Sequence, residues 1–188
     1  MAFFPDLARP LRGPAAGVRL AAERDIPEVL IAHQDDAQLH VRLGMERPPS
    51  GAELGRRIDE SPADRAAGAA VWLTIIAPGS DECCGQIDVH EVDWDHRRAD
   101  LGVWVAPAQR RQGRAAGALR LAGRWLLGPC GLERVELLTE PSNAPMRHAA
   151  RRAGFQEEGI LRGYLRERGR RVDVVVMSLI ADDLAATG

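Results

Sequence analysis

One stretch near the middle of the chain constrains the fold more than any other: Leu101-Gly-Val-Trp-Val-Ala-Pro-Ala-Gln-Arg-Arg-Gln-Gly-Arg-Ala115. Its first residues alternate as a half-buried strand does, and a helical apolar stripe follows Gly113. Small residues at positions 113 and 115 let a ligand approach the backbone closely where the helix begins. The free N–H groups and the positive dipole end of a helix start favour phosphate. The pattern predicts a strand, a tight loop and a helix that bind a phosphorylated ligand.

The loop is rich in cationic side chains: Arg110, Arg111 and Arg114. Arginine stays charged and suits bidentate contacts with phosphate. A structural turn with solvated arginines is the alternative interpretation of the same residues.

Lysine is absent, and all 25 residues counted as Lys+Arg are arginine. This excludes P-loop NTPases and protein kinases in their usual form, because both place a lysine on the nucleotide phosphates. It also excludes Schiff-base and pyridoxal-phosphate enzymes, which need a side-chain amine. Residues 1–96 hold 9 Arg and 17 Asp+Glu, whereas residues 97–171 hold 16 Arg and 7 Asp+Glu. A fluctuation of surface charge along the chain is one interpretation. The other is that the basic segment binds a polyanion, either nucleic acid or a phosphorylated cofactor, and that the acidic N-terminal half binds a cationic partner.

Composition narrows these options further. Aromatic residues make up 4% of the chain and do not interleave with the arginines, which argues against nucleic acid. No apolar run approaches 20 residues and no leader precedes the first strand pattern, so we expect neither a membrane span nor a secretory signal. Three cysteines in an odd count and five unclustered histidines predict no metal site and a reducing cytoplasm.

The remaining patterns predict one α+β domain with a single sheet. Alternating or β-rich runs predict strands at Gly17–Leu20, Val71–Ala77, Gly85–Asp93, Ala99–Val105, Arg134–Thr139, Ile160–Leu165 and Val172–Leu179. Caps and helical spacing predict helices over about Asp25–His40, Gly51–Glu60, Gly113–Leu127 and Asn143–Gly154. Residues 1–16 are predicted to be a flexible N-terminal tail, residues 17–182 the domain, and residues 183–188 a C-terminal tail.

Two landmarks together carry a family resemblance. The loop Arg110-Arg111-Gln112-Gly113-Arg114-Ala115 resembles the pyrophosphate pattern Arg/Gln-x-x-Gly-x-Gly/Ala of the GCN5-related N-acetyltransferase (GNAT) superfamily. The segment from Asn143 to Gly154-Phe155 resembles the family's second landmark, an Asn-capped helix that ends in Gly-Phe. The segments Gln156–Arg162 and Val172–Leu179 are similar to the RimJ/RimL-type branch. The resemblance covers about residues 17–182.

The resemblance implies a mixed, mostly antiparallel sheet of six to seven strands flanked by about four helices. It implies acetyl transfer from acetyl-CoA to a primary amine by direct attack in a ternary complex. The acceptor class is a protein N-terminus or a small-molecule amine, such as a polyamine or an antibiotic. No metal and no nucleic acid or membrane partner is expected, and a homodimer is one assembly to test.

The resemblance also implies cofactor-binding residues. Backbone groups at Val103 and Val105 would bind the pantetheine arm. Asn143 matches the family's CoA-contacting asparagine, although a cap-only role is an equal alternative. The loop would bind the pyrophosphate with amides or guanidinium groups of Arg110, Arg111, Gln112, Gly113, Arg114 and Ala115.

Catalytic groups are less determined by the pattern. Asp100 stands where RimJ/RimL-like proteins often carry Glu, so we predict it as the general base, with a solvated strand-edge acid as the alternative. Asp88, Glu91 and Trp104 are predicted to line the acceptor cleft. Tyr164 is the candidate acid, with simple packing as its alternative.

Two positions depart from the family pattern. Relatives often place a proton-donating Ser or Tyr where this chain has Met146 and Ala150, and neither side chain can donate a useful proton. A non-catalytic acyl-CoA-binding or regulatory module on the same fold is therefore the alternative function.

Overall fold

The apolar and β-branched runs form eight strands of one sheet in the computed structural model, which describes residues 3–167 and 169–186. The strands are β1 (Leu11–Arg12), β2 (Gly17–Leu20), β3 (Val71–Ile76), β4 (Cys83–Asp93), β5 (Arg98–Val105), β6 (Arg134–Thr139), β7 (Gln156–Glu167) and β8 (Arg170–Ile180). Their spatial order is β1-β2-β3-β4-β5-β6-β8-β7. Neighbouring strands are antiparallel except β5 and β6, which are parallel.

Six α-helices connect or flank these strands in the described part of the chain. They are α1 (Ile26–Asp35), α2 (Leu39–Arg42), α3 (Gly51–Ala66), α4 (Arg114–Leu127), α5 (Ala144–Ala153) and α6 (Ala181–Ala186). Ser50 and Glu53 form a capping box that starts α3. Asn143 accepts a hydrogen bond from the Met146 N–H at the start of α5, and Gly154 ends that helix with φ of 109°.

The helices cover the two faces of the sheet with two apolar clusters. Along β5, Ala99, Leu101 and Val105 enter the larger cluster, which includes the buried faces of α4 and α5. Trp104 joins the smaller cluster formed with α1, α2 and α3. Since successive side chains of a strand point to opposite faces, Asp100, Gly102 and Trp104 share the face that carries α1–α3. This division gives β5 a core face and a polar face.

The predicted fold class is confirmed, and the structure adds one strand and two short helices to the expected set. The helix predicted over residues 25–40 ends at Asp35, and α2 begins only at Leu39. The helix predicted from Gly51 extends to Ala66 instead of Glu60.

The two predicted tails are partly incorporated into the fold. Phe4 is 2% exposed, and its ring lies 5.2 Å from Trp94 and 6.1 Å from Trp125. Strand β1 pairs with β2, so described residues of the predicted N-terminal tail belong to the sheet. Leu184 of α6 packs against the large cluster. Residues 1–2 and 187–188 of the predicted tails lie outside the described residues.

No helix among the described residues is long and apolar enough to span a membrane. The same residues contain no group of three His, Cys, Asp or Glu side chains placed to hold a metal ion.

Candidate active site

Strands β5 and β6 separate after a short paired segment. Their parallel register covers only Arg98 to Asp100 on β5, although β5 continues to Val105 and β6 to Thr139. A cleft of about 1350 Å³ lies between and around the diverging ends and is lined by residues of both strands. We call this separation the β5–β6 gap, with its closed end at Asp100 and its open end at Val105.

The gap exposes backbone groups of β5 that pair with no strand. The Ala106 N–H donates to the Cys84 carbonyl at 2.8 Å, so the backbone groups of Ala106 face β4. Because backbone direction alternates along an extended strand, the N–H and C=O groups of Val103 and Val105 face the gap. Both residues line the cleft, as the pantetheine prediction requires.

The loop at the open end has the backbone shape of an anion site. Arg111 and Gly113 have φ of 62° and 76°, both in the left-handed region, and α4 begins at Arg114. The first N–H groups of α4 therefore lack helical partners at a point that lines the cleft. Backbone amides in such a turn form a concave site for phosphate.

The loop's arginines have different surroundings. Arg110 donates from Nε to the Val105 carbonyl at 3.0 Å and from Nη2 to Asp36 at 2.6 Å. Arg114 donates to the Ala15 carbonyl at 3.0 Å, which ties the start of α4 to the N-terminal segment. Arg111 is exposed at the cleft.

The other predicted loop residues also lie near the open end. Ala115 lines the cleft, and Gln112 is exposed beside it, where its side chain donates to the Ala108 carbonyl at 3.1 Å and accepts from Arg114 at 3.0 Å. Asn143 lines the opposite side of the cleft while its side chain caps α5. Its position is compatible with both roles considered for it.

The closed end of the gap brings polar residues of β4 and β5 together. In the antiparallel register Asp88 lies opposite Gly102, and His90 lies opposite Asp100. These four residues and Trp104 line the cleft on the face that carries α1–α3. Asp88, Asp100 and Trp104 thus line one cleft, and their roles toward an acceptor stay predictions.

Glycine 102 makes room for the Asp88 carboxylate. A Cβ atom built on Gly102 would lie 2.4 Å from Asp88 Oδ1 and 2.6 Å from Oδ2. Such distances are shorter than van der Waals contact, so the carboxylate occupies the space that any other residue would fill. Asp88 Oδ2 is then 2.8 Å from His90 Nδ1. The angles of a hydrogen bond are not met, so the contact acts electrostatically, and it becomes an ion pair when the imidazole is protonated.

Asp100 is an unusual carboxyl group. Its Oδ1 atom is buried and has no hydrogen-bond partner. Burial raises the pKa of Asp100, and the charge of Glu136 opposite it on β6 adds to the increase. A carboxyl group with a raised pKa beside a cleft is a typical feature of a functional site.

Two predicted site residues lie elsewhere. Glu91 is exposed with φ of 48° and belongs to a separate shallow depression beside Trp94. Tyr164 is 52% exposed on β7 and does not line the cleft. Their predicted roles remain predictions. Met146 does line the cleft, whereas Ala150 is buried in the core.

His90 was not predicted as a site residue. Its position two residues after Asp88 on an alternating strand places both side chains on one face, and this spacing was the available signal. His33 was also unassigned; it is buried beside Trp104, with ring centroids 6.2 Å apart, and burial lowers its pKa.

This geometry agrees with comparisons to known proteins. The model of the acetyltransferase (GNAT) domain matches residues 17–156. The chain belongs to the GNAT acetyltransferase family. Across this GNAT chain, 118 residues are 30% identical to N-acetyltransferase p20 of Bacillus licheniformis, covering 63% of the chain and 66% of p20. Alignments with three curated relatives span 53% to 66% of those relatives' lengths.

Solved structures extend the similarity over nearly the whole GNAT chain. RimJ of Mycobacterium smegmatis in complex with CoA-disulfide is 28% identical, with a TM-score of 0.80 over 94% of this chain and 88% of RimJ. An acetyltransferase of Salmonella typhimurium that modifies the N-terminal serine of ribosomal protein L7/L12 is 19% identical, with a TM-score of 0.79 over 93% and 100% of the two chains. At 19% identity, the second similarity shows that the two proteins share a fold.

Proposed function

We propose that this protein transfers an acetyl group from acetyl-CoA to a primary amine by direct attack in a ternary complex. The observation that carries the proposal is the β5–β6 gap, which joins an anion-binding loop at one end to a carboxylate–imidazole group at the other. Acetyl-CoA, when bound, supplies an acyl group activated as a thioester. RimJ, which shares the fold at 28% identity, was solved with a CoA-disulfide.

The loop at the start of α4 and the adjoining part of β5 have backbone groups suited to CoA. The start of α4 and the left-handed turn at Arg111 and Gly113 present backbone N–H groups suited to a pyrophosphate. Val103 and the N–H of Val105 present backbone groups without a strand partner to the amides of an extended arm, whereas the Val105 carbonyl accepts from Arg110. From Val105 to Asp100 the strand rises ~17 Å, so an arm that follows the gap ends near Asp100.

The acceptor amine would enter from the face that carries α1–α3. Carboxylates of Asp88 and Asp100 attract a cationic amine to the closed end of the gap, and Trp104 forms an apolar wall there. The attacking nitrogen must lose a proton, which a group at this end can accept. The sequence predicted Asp100 for that step, and Asp88 and His90, which line the same end of the cleft, are further candidates.

The acceptor class that we favour is a protein N-terminus. RimJ and the Salmonella typhimurium protein are similar to this chain, and the latter is described as modifying an N-terminal serine. An α-amine has a pKa of about 7.7–8.0 in the free state, roughly two units below that of an alkyl amine. A weak base in the cleft therefore neutralises an α-amine more readily than a polyamine.

The test is release of free CoA thiol from acetyl-CoA over a panel of amines. The panel contains a hexapeptide with a free N-terminal serine, the same peptide already acetylated at its N-terminus, spermidine and an aminoglycoside. We expect turnover with the free peptide and none with the blocked one. Because the chain has no lysine, mass spectrometry can assign any acetyl group on the enzyme's own nitrogen to its N-terminus.

Binding and turnover separate the two functions considered. Calorimetric binding of acetyl-CoA without thiol release from any amine would favour the non-catalytic module. Tyr164→Phe tests the predicted acid, since loss of the hydroxyl would slow turnover only if that group protonates the thiolate.

The three cysteines of the described chain are unpaired, which supports a reducing compartment such as the cytoplasm.

A further inference from the structure

We propose that His90 accepts the proton of the attacking amine and that Asp88, seated over Gly102, holds the imidazole for this step. The proposal rests on the acetyltransferase function proposed above and assigns its proton acceptor. None of the family landmarks in the sequence includes either residue.

The imidazole of His90 is oriented with one nitrogen toward Asp88. His90 Nδ1 is buried and lies 2.8 Å from Asp88 Oδ2. The side chain is nevertheless 45% exposed, so the exposed part is the rest of the ring, which carries Nε2. A carboxylate at Nδ1 favours the tautomer with the proton on that nitrogen. Nε2 is then a free base at the cleft.

The position of Asp88 is determined by its neighbours. The carboxylate lies over the backbone of Gly102, in a space that a Cβ atom would occupy. Strand pairing holds Asp88 and Gly102 opposite one another. The carboxylate therefore stays beside His90 with little freedom, as a positioning group must.

The charges around His90 favour its protonated form. On β4, Asp88 contacts the ring and Glu91 is exposed nearby. On β5, Asp100 lies opposite His90, and Arg98 is the first residue of the strand. Contact with Asp88 raises the pKa of His90, burial opposes this, and the charge of Asp100 adds to the increase. Other charged or titratable groups near this face are Glu136 on β6, which lies beside Asp100, and three groups that line the cleft from the helices: His33 on α1, Arg42 on α2 and Arg57 on α3.

His90 suits the task better than Asp100. Oδ1 of Asp100 is buried, and its carboxyl group would need to take a proton from an amine of much higher pKa. An imidazole with a raised pKa lies closer to an α-amine, so less free energy is needed for the transfer. Asp100 then stabilises the imidazolium across the strand pair.

The cationic amine first gives one proton to Nε2 of His90, which frees the lone pair of its nitrogen for attack. That nitrogen forms a bond to the acyl carbon, the bond from that carbon to sulfur breaks with its electron pair on sulfur, and the second proton of the nitrogen passes to the thiolate. The imidazolium then gives its proton to water, which restores the neutral ring.

The first experiment follows the imidazole directly by NMR. The ring-proton signal of His90 is assigned by its loss in His90→Gln and titrated without any ligand. We expect a midpoint above the ordinary value of about 6.5, and a decrease of roughly one pH unit in Asp88→Asn. A midpoint at or below the ordinary value, or one that Asp88→Asn leaves unchanged, would overturn the proposal.

The second experiment measures kcat/KM against pH with acetyl-CoA and the free-serine hexapeptide. His90→Gln should lower kcat by about 10²- to 10⁴-fold and remove an acidic limb whose midpoint matches the NMR titration. In Asp88→Asn the midpoint of that limb should shift by the same amount as the NMR midpoint. A limb caused by ionisation of the amine substrate would not shift, because the substrate is the same for both enzymes. The control is His96→Gln, because His96 contacts Asp93 at 2.9 Å but is 76% exposed and outside the cleft.

The third experiment changes only the position of the carboxylate. Gly102→Ala should lower kcat at least about tenfold and lower the His90 midpoint, because the added methyl group displaces Asp88. Gly55→Ala on α3 adds the same atom in open space and should change neither. Equal activity of Gly102→Ala and wild type would contradict the positioning role.

These outcomes distinguish the two proposals. Turnover by wild type together with an unchanged rate and limb in His90→Gln would overturn only the role of His90. Absence of turnover by wild type with every amine, despite CoA binding, would overturn the acetyltransferase function and this assignment with it.

Discussion

Arg110 donates a 2.6 Å hydrogen bond to Asp36 and thereby joins the turn between α1 and α2 to the loop at the start of α4. Arg42 of α2 forms an ion pair with the same carboxylate. Partial burial disfavours the charged carboxylate, but the hydrogen bond from Arg110 and the charge of Arg42 outweigh it, so the pKa of Asp36 is lowered. One carboxylate thus connects the turn between α1 and α2 to the proposed pyrophosphate loop.

Asp36→Ala should separate the binding of the two substrates. Helices α1 and α2, which cover the proposed acceptor side of the cleft, would lose their attachment to Arg110. Because this charged hydrogen bond is worth roughly 1 kcal/mol, we expect the KM for the peptide amine to rise at least about threefold. The affinity for CoA should not fall, because Arg110 is released and a negative charge beside the phosphate site is removed. Calorimetry with CoA and initial rates at varied peptide measure the two effects.

Asp35→Ala is the matched control for that variant. It removes the same charge one residue earlier, from an exposed position at the end of α1. A loss of CoA affinity in Asp36→Ala that Asp35→Ala does not share would show that the carboxylate supports the loop rather than competing for Arg110.

Gly113→Trp should abolish CoA binding. The indole would cover the backbone N–H groups at the start of α4, and we expect an affinity loss of at least about 100-fold, or ~2.8 kcal/mol. Gly131→Trp imposes a side chain on another glycine in the left-handed region, with φ of 74° and open space around it. Equal CoA affinity of the two variants, measured by calorimetry, would place the pyrophosphate elsewhere.

Asp25→Ala should strongly destabilise the fold. Asp25 is 2% exposed and accepts hydrogen bonds from Arg19 at 2.6 Å and from Thr74 at 2.6 Å. Its removal takes away the buried counter-charge of Arg19 and leaves only the half-exposed Asp81, whose Oδ1 lies 3.6 Å from Arg19 Nε, so the loss should be about 3 kcal/mol. Urea denaturation at neutral pH measures the loss. Arg24→Ala removes an exposed partner of Asp81 and should cost at most about 1 kcal/mol.

The same pair predicts how stability depends on pH. Burial alone would raise the pKa of Asp25, but the hydrogen bonds from Arg19 and Thr74 outweigh burial, and the pKa is lowered. The pair's contribution is therefore complete above the unfolded value of about 3.9 and is lost as pH falls through the lower folded value. The difference in unfolding free energy between wild type and Asp25→Ala should shrink in acid; a constant difference would contradict the assignment.

Asp100→Asn should lower kcat and move the acidic limb of the rate profile to lower pH. The substitution removes the negative charge opposite His90, so the imidazolium becomes less stable. Profiles of kcat/KM against pH with the free-serine hexapeptide measure the shift. Glu91→Gln is the comparison, because Glu91 follows His90 on β4 but is exposed and lies outside the cleft. An effect of Glu91→Gln equal to that of Asp100→Asn would support its predicted place in the acceptor site.

Units whose shape depends on residues close in the chain could be predicted before the fold was known. The turn at Arg111 and Gly113 and the helix between Asn143 and Gly154 follow from local backbone preferences and caps, which a short window of residues contains. These units are also the family's landmarks, so both the fold class and the family were predictable. The break of the first helix at Asp36 was not, because a tertiary contact with Arg110 holds the turn there.

Contacts between distant parts of the chain determine which groups meet at the closed end of the gap. Asp88, His90, Gly102 and Asp100 come from two strands, and one residue of register shift would place Asp100 on the opposite face from His90. Phe4 likewise joins the core through the distant Trp94 and Trp125. Periodicity and caps specify each element alone, whereas strand register and side-chain packing depend on contacts between residues far apart in the chain, and those contacts exist only in the folded protein.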